Sequence, residues 1–214
     1  GRIYQMRYLS GIVAGMQTES DRIGYVAAFP IDEVNRGISA FAIGVRLVNP
    51  KAKVYVEWSR SWTDDTDNRE ATERLLARQK KIDVITMHCN SLSPLAVADE
   101  HGIWSIGYNM DNGEKYPDSF LTAPVWNWEN FFKPRILECL QGKFKGIHYW
   151  EGINTGVVAL APFGSQVKDG IKEAVEEQKK KLERGMFDVF YGPVRDQNGK
   201  LRIREGESMT DEAM

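Results

Sequence analysis

The fold class of this chain is decided by RIGYVAAF at residues 22–29, the amphipathic segment at 31–48 and KVYVEW at 53–58. The first run is apolar and ends at Pro30, and the segment after it has apolar residues at three- and four-residue spacing, which is typical of a helix. A strand, a helix and another strand in this order predict a parallel βαβ unit with a right-handed connection.

The same alternation continues along the chain. The sequence predicts a charged helix at 66–81, a strand at 82–89, a helix at 93–102 and a further strand at 103–109. Strands separated by single helices form a parallel sheet that is covered by helices on both faces. We therefore predict an α/β fold.

Elements outside this region follow a less regular order. Pro134 is expected to kink or delay the helix predicted at 127–142. Asn198-Gly199 is a favoured tight turn, which predicts a hairpin at 192–206. Residues 207–214 are expected to fray. The predicted elements are helices at 3–17, 127–142 and 165–184, strands at 121–125 and 156–163, and a hairpin at 192–206.

Composition excludes several classes of protein. The 214 residues contain 28 Lys and Arg against 30 Asp and Glu, a net charge of −2, so no basic field favours nucleic acid or an anionic membrane. The longest apolar runs have the length of strands, so none is expected to span a bilayer. Cys89 and Cys139 cannot form a disulfide framework or a zinc site alone, and they are either two buried thiols or one bridge.

Candidate ligand-binding residues follow from the topology, because ligands bind beyond the carboxyl ends of parallel strands. Aromatic and uncharged hydrogen-bonding groups dominate there, which suits a flat conjugated ligand held by stacking and edge hydrogen bonds. Phosphate is disfavoured, since no glycine-rich loop or basic cluster follows a strand. The candidates are Phe29, Glu33, Trp58, Trp62, His88, Asn90, Ser91, Asn109, Met110, Asp111 and Trp126. We expect Trp58 or Trp62, His88, Asn109 and Trp126 to converge on one concave surface.

Each candidate also has a purely structural interpretation. Trp126 and Trp128 are expected to point in different directions, so that at most one of them reaches a ligand. The structural alternatives are that Trp58 and Trp62 plug the rim of the sheet, that His88 is a core histidine with satisfied hydrogen bonds, and that Asn109 caps its strand.

The sequence contains no recognisable catalytic motif around His88 and Ser91. Ser91 lies three residues after His88, but no G-x-S-x-G elbow surrounds it. The 3 histidines have no metal-ligand spacing to one another or to cysteine. The residues therefore indicate no catalytic group, metal or cofactor.

The quoted segments together resemble a known family. Basic membrane lipoproteins, which are PnrA-like substrate-binding proteins of ABC transporters, carry similar segments in the same order: RYLSGIVAG, RIGYVAAFPIDEVNRGISAFAIGVRLVNP, VYVEWSRSWTDD, DVITMHCNS and GINTGVVALAPF. The resemblance runs from about Arg2 to about Glu205. It implies an extracytoplasmic protein, periplasmic or anchored to the membrane by a lipid, that binds a purine nucleobase or nucleoside for ABC permease subunits. It implies no enzyme activity and no cofactor.

The family fold is of the type I periplasmic-binding-protein class, with two α/β lobes joined by hinge strands around the ligand. The chain resembles the carboxyl-terminal two-thirds of a member, so upstream residues are expected to complete the other lobe and to carry the anchor. Alone, the chain is expected to bind purines weakly or not at all, and to associate through uncovered stripes on helices 3–17 and 127–142. The implied division is 1–20, a helix of the other lobe; 21–120, the ligand-binding lobe; 121–155, a hinge crossing and helix of the other lobe; 156–206, the hinge return, last helix and hairpin; and 207–214, a tail.

Two departures from the family bear on the ligand. Nucleoside-binding members carry an Asp in the segment that matches IGYNMD and a Lys in the segment that matches LTAPVW, and these hold the ribose hydroxyls. Asn109 and Trp126 stand at the corresponding positions here. The loss of each charged group removes hydrogen bonds worth roughly 1.5–3 kcal/mol. The resemblance therefore favours a free nucleobase. The alternatives are a ligand-sensing receptor of the same fold and an enzyme that uses His88 and Ser91.

Overall fold

The computed structural model describes residues 1–210 of the chain. Its first half follows the predicted order, in which strands alternate with single helices. The elements are α1 (Tyr4–Gln17), β1 (Arg22–Ala27), α2 (Asp32–Val48), β2 (Lys53–Trp58), α3 (Asp65–Arg78), β3 (Val84–His88), α4 (Ser93–Glu100), β4 (Trp104–Ile106), β5 (Phe120–Thr122), β6 (Pro124–Trp126), α5 (Glu129–Leu140), a 3₁₀ turn (Ile153–Thr155), β7 (Val158–Leu160), α6 (Ile171–Glu183), β8 (Val194–Arg195) and β9 (Leu201–Ile203).

The main sheet of the described residues has 5 strands in the order β2-β1-β3-β4-β5, and every neighbouring pair is parallel. The prediction of a parallel sheet over the first four strands is confirmed. The strand order changes direction between β1 and β3, and open α/β sheets bind ligands in the crevice beyond the carboxyl ends of the strands at such a point. The topology therefore predicts a ligand site near the residues that follow Ala27 and His88.

Helices cover both faces of this sheet, as predicted. Side chains alternate along β1, so Ile23 and Tyr25 join a core cluster with α1 and α2. Val26 points to the opposite face and packs in a second cluster with Leu75 of α3 and Ala98 of α4. The sheet is buried between the two layers, which explains why its strands are apolar runs.

The helices α1 and α2 pack so closely that their backbones are in contact. A Cβ atom at Gly11 would lie 2.1 Å from the carbonyl oxygen of Phe41, and one at Gly44 would lie 2.0 Å from that of Tyr8. Every residue of α1 except Met16 is buried. The expectation that α1 exposes an apolar stripe is therefore wrong, because glycines let α2 approach it and α6, β6 and β7 cover the remainder.

The helix α5 has the opposite environment, since none of its described side chains is buried. Pro134 lies inside the helix and does not end it. Large apolar side chains of this segment are exposed, as predicted: Trp128 (50%), Phe132 (51%), Ile136 (55%), Leu137 (56%) and Leu140 (79%).

The strand predicted at 121–125 is two strands in the structure. β5 ends at Thr122 in the parallel sheet, and β6 begins at Pro124 and pairs antiparallel with β7. Proline has no N–H to continue the first ladder, so the chain leaves one sheet for the other at this point. The strand predicted at 156–163 is shortened to β7.

The last long helix begins later than the sequence predicts. α6 starts at Ile171, after Gly170 in a left-handed conformation with φ 80°. The preceding segment is held by Lys168, whose Nζ donates to the carbonyl oxygen of Gln17 at 2.9 Å and whose backbone N–H donates to Gln17 Oε1 at 3.1 Å. These contacts with α1 fix residues 165–170 outside the helix.

The carboxyl-terminal region forms the predicted hairpin from β8 and β9. The residues after it are less free than expected, because Ser208 bridges to Tyr191 and the N–H of Met209 donates to the carbonyl oxygen of Phe190 at 3.0 Å. The predicted fraying of residues 211–214 lies outside the described residues.

The two cysteines are free thiols. Cys89 is buried and Cys139 is exposed, so the structure contains two separate thiols and only one of them is buried. Across residues 1–210, no helix is long and apolar enough to cross a membrane.

Candidate ligand-binding site

His88 ends β3 at the switch point of the sheet, and its side chain is completely buried. Its Nε2 lies 3.0 Å from Oε1 of Glu33, and its Nδ1 lies 3.1 Å from the hydroxyl of Tyr25. A carboxylate only accepts hydrogen bonds, so Nε2–H donates to Glu33 and Nδ1 accepts from the Tyr25 hydroxyl. The three side chains form a directed chain of hydrogen bonds that ends on a carboxylate.

Burial and the nearby charge of Arg7 lower the pKa of His88 to about 4, although the hydrogen bond to Glu33 acts in the other direction. The imidazole is therefore neutral near pH 7. Burial opposes the ionisation of Glu33, but the hydrogen bond from His88 and the positive charges of Arg7 and Arg36 outweigh it, so the pKa of Glu33 lies below its usual range. Glu33 is thus an ionised acceptor.

Aromatic rings surround this chain of hydrogen bonds. The ring of Trp62 lies 6.2 Å from that of Phe29 and 6.2 Å from the imidazole of His88, and the ring of Tyr108 lies 4.7 Å from the same imidazole. Phe29 and Trp62 are partly exposed. The structure therefore brings Phe29, Glu33, Trp62 and His88 together at the carboxyl edge of the sheet.

Arg7 is a member of this site that the sequence reasoning missed. It extends from α1 and is fully buried, its Nη1 donates to the carbonyl oxygen of Met87 at 2.9 Å, and its guanidinium lies 4.6 Å from the centroid of Tyr108. Its Nε and Nη2 have no hydrogen-bond partner among the described residues. The available signal was that Arg7 is the lone charge in the predicted helix at 3–17.

The candidates that follow β4 lie in a turn. Asn109 has a left-handed φ of 64°, and its N–H donates to the carbonyl oxygen of Pro124 at 2.8 Å. Its Oδ1 is buried and has no partner in the described part of the chain. Met110 is 59% exposed, and Asp111 is exposed and accepts the N–H of Gly113 at 3.0 Å.

Ser91 and Asn90 hold neighbouring segments. Ser91 Oγ donates to Oδ1 of Asp65 at 2.6 Å and accepts the N–H of Ser93, which ties the start of α4 to α3. Asn90 is exposed, and its N–H donates to the carbonyl oxygen of Trp62 at 2.6 Å. Within residues 1–210 no hydrogen bond joins Ser91 to His88, whose two ring nitrogens contact Glu33 and Tyr25 instead.

The two remaining tryptophan candidates, Trp58 and Trp126, differ in environment. Trp58 is partly buried against the core. Trp126 stacks on Trp128, with ring centroids 4.8 Å apart and planes at 14°, so the expectation that these two rings point in different directions is wrong. A turn between β6 and α5 brings both rings to one side. Among the described ring contacts, none joins this pair to Trp62 or His88.

Two other features of the described residues bear on where a ligand or metal ion could bind. Residues 1–210 contain no group of three or more His, Cys, Asp or Glu side chains placed to hold a metal ion. A cleft of about 800 Å³ lies away from the sheet edge, between the start of α1 and the end of α6, and its lining includes Arg2, Glu183 and Asp188. Arg2 and Asp188 are paired there at 3.4 Å, so the cleft has mixed charge.

Comparisons with known proteins identify the family of this chain. The family described as ABC transporter substrate-binding protein PnrA-like matches residues 1–187. A putative ABC transporter glucose-binding protein of Haloferax volcanii is 38% identical over 192 residues, which are 90% of this chain and 49% of the relative. A purine-binding protein of Brucella abortus is 32% identical over 213 residues, which are 100% of this chain and 60% of the relative. The chain thus spans about half to three-fifths of the length of these relatives.

A solved structure has a similar fold. A crystal structure of ABC transporter system solute-binding proteins from Aeropyrum pernix K1 superposes with a TM-score of 0.75 at 15% identity, over 92% of this chain and 66% of that chain. At this identity the likeness concerns the fold alone, which is the type I solute-binding fold.

Proposed function

Since the chain belongs to the PnrA-like family of ABC transporter substrate-binding proteins, we propose that it binds a purine nucleobase or nucleoside beside His88 for uptake. The family consists of solute-binding proteins rather than enzymes. The proposed place of action is outside the cytoplasmic membrane, with ABC permease subunits as the partners and a lipid anchor as the means of attachment.

The observation that carries the proposal is the grouping of aromatic rings around an ionised acceptor. Phe29 and Trp62 are partly exposed rings near the His88 imidazole. A purine has a flat π-face that stacks on such rings and an edge with N–H donors for the Glu33 carboxylate. The purine-binding relative, which matches the whole chain, supports the same ligand class.

A sugar is the second candidate, because the Haloferax volcanii relative is named as a glucose-binding protein. A hexose also packs on aromatic rings, but its hydroxyls need several hydrogen-bonding partners around the ring to offset their desolvation. Around His88, the exposed or partly exposed groups are the Glu33 carboxylate, whose side chain is 40% exposed, the exposed Asn90, and the rings of Phe29 and Trp62. This composition favours a purine over a hexose.

Calorimetric titration with adenine, guanine, hypoxanthine, adenosine, inosine and D-glucose tests the proposal. We expect the full-length protein to bind at least one purine and not glucose. Trp62→Ala should weaken purine binding about tenfold or more, because stacking of one base on an aromatic ring contributes about 1–3 kcal/mol. Trp104→Ala is the matched control and should leave the affinity unchanged, since Trp104 begins β4 at the opposite edge of the sheet. Binding of glucose without purines contradicts the proposal, and conversion of a purine to a product would support the enzyme alternative.

A further inference from the structure

The carboxylate of Glu33 is only partly used within the described residues. Its Oε1 accepts the Nε2–H of His88, and no described donor lies within hydrogen-bond distance of Oε2. The Glu33 side chain is 40% exposed, whereas His88 beneath it is completely buried. One carboxylate oxygen is therefore anchored in the protein, and the other is available at the edge of the sheet.

The hydrogen bonds beneath Glu33 hold its carboxylate as a hydrogen-bond acceptor in one orientation. Tyr25 donates to Nδ1 of His88, so the proton of the neutral imidazole stays on Nε2 and is directed to Glu33. The carboxylate is held in one orientation by a buried donor, and it cannot itself donate. The site thus presents a pre-oriented acceptor with no compensating donor on the same side chain.

We infer that Glu33 determines specificity by selecting a purine edge with two adjacent N–H donors, as in the 2-amino-6-oxopurine edge of guanine. This inference rests on the proposed function. The N1–H and the 2-amino N–H of guanine can bond both oxygens of one carboxylate, an arrangement that is stronger than a single contact. Hypoxanthine keeps N1–H and lacks the amino group, so it loses one of the two bonds.

Adenine presents a less suitable edge to the same carboxylate. Its 6-amino group is flanked by the ring nitrogens N1 and N7, whose lone pairs would face the second carboxylate oxygen. A site built around an acceptor rejects a ligand that offers another acceptor, because one of the two then stays unpaired on burial. Glu33 therefore disfavours adenine as well as hypoxanthine.

The test compares guanine, hypoxanthine and adenine by titration of the intrinsic tryptophan fluorescence of the full-length protein and two variants. We expect guanine to bind about tenfold or more tightly than hypoxanthine, which corresponds to one charge-assisted hydrogen bond. Glu33→Gln should weaken guanine binding by about the same factor and bring the guanine-to-hypoxanthine ratio to within about threefold. Asp32→Asn removes a charge from the same helical turn, at an exposed position, and should leave both affinities unchanged.

The possible failures are distinguishable. If the protein binds no purine, the proposed function and this inference are both overturned. If it binds guanine and hypoxanthine equally, or if Glu33→Gln leaves their ratio unchanged, only the inference is overturned. Thermal unfolding establishes that each variant folds, and Glu33→Asp provides a second variant that keeps the charge but withdraws the carboxylate by one methylene. It should reduce the ratio, and an undiminished ratio in Glu33→Asp also overturns the inference.

Discussion

The helices α1 and α5 have similar lengths and both carry many apolar residues, yet one is buried and the other is exposed. All residues of α1 except Met16 are buried, whereas α5 has no buried residue among those described. The difference lies in the small residues: Gly11 and Gly15 let α1 lie against the backbone of α2, and α5 contains no glycine. A helix becomes central when another helix can approach it closely, and its apolar content alone does not decide this.

The same contrast applies to charged residues. Arg7 of α1 is buried and lowers the pKa of His88. The charges of α5 remain on the surface, where Lys133 pairs with Glu129 and Arg135 pairs with Glu138 within the helix. Arg7 on α1 therefore acts on the candidate site, whereas the surface charges of α5 contribute little to stability.

The largest effect is expected from a methyl group at the contact between α1 and α2. Gly11→Ala places a Cβ 2.1 Å from the carbonyl oxygen of Phe41, and the helices must separate to accommodate it. We expect the free energy of unfolding in a denaturant titration to fall by about 3 kcal/mol. The matched change on α5, Leu140→Ala, removes a side chain that is 79% exposed and should cost less than about 0.5 kcal/mol. Equal losses in the two variants would mean that close helix packing does not distinguish α1 from α5.

The next effect concerns pH. The pKa of His88 is lowered from 6.5 to about 4 in the folded protein, so between these values the unfolded chain takes up a proton that the folded protein does not. The free energy of unfolding is therefore highest above pH 6.5 and falls by roughly 3 kcal/mol as the pH is lowered toward 4. Arg7→Met should raise the folded pKa of His88 and flatten this slope, and Lys133→Met should not.

Denaturant titrations at several pH values measure the slope, and NMR titration of the His88 imidazole measures its pKa directly. The slope is the informative quantity, because Arg7→Met also removes the hydrogen bond to the carbonyl oxygen of Met87 and lowers stability at every pH. An unchanged slope and an unchanged pKa in Arg7→Met would show that burial alone lowers the pKa of His88.

The smallest effect on stability is expected on α5, where the consequence is association. Phe132 and Leu140 are 51% and 79% exposed, and exposed apolar surface of this kind promotes contact between copies. Phe132→Glu combined with Leu140→Lys should lower the concentration-dependent mass in light scattering while changing the free energy of unfolding by less than about 0.5 kcal/mol. A large loss of stability would show that α5 packs on the rest of the chain, and unchanged association would exclude this surface as its cause.

The parts of the fold that depend on local patterns could be predicted from the sequence. The first four strands and the helices between them lie within a few residues of their predicted positions, because alternation and helical periodicity are properties of neighbouring residues. The candidate site was predicted in outline for the same reason. Phe29 lies two residues after β1 and His88 ends β3, and parallel strands bring their carboxyl ends to one edge.

Other parts required the tertiary structure. The stacking of Trp126 on Trp128 depends on the turn between β6 and α5, and the late start of α6 depends on contacts of Lys168 with α1. The division of the predicted strand at 121–125 depends on a second sheet that pairs with β7. Each of these outcomes is set by a partner that lies elsewhere in the chain.

By itself, the sequence determined the parallel α/β architecture, the edge of the sheet at which a ligand is expected, and the aromatic character of that edge. Only the tertiary structure decided that α1 is a buried helix, and that Arg7, 80 residues from Met87 in the chain, lies beside His88. Periodicity and turn residues act over a few positions, so they specify elements. Burial, pKa shifts and the orientation of Glu33 depend on groups that meet only after the chain has folded.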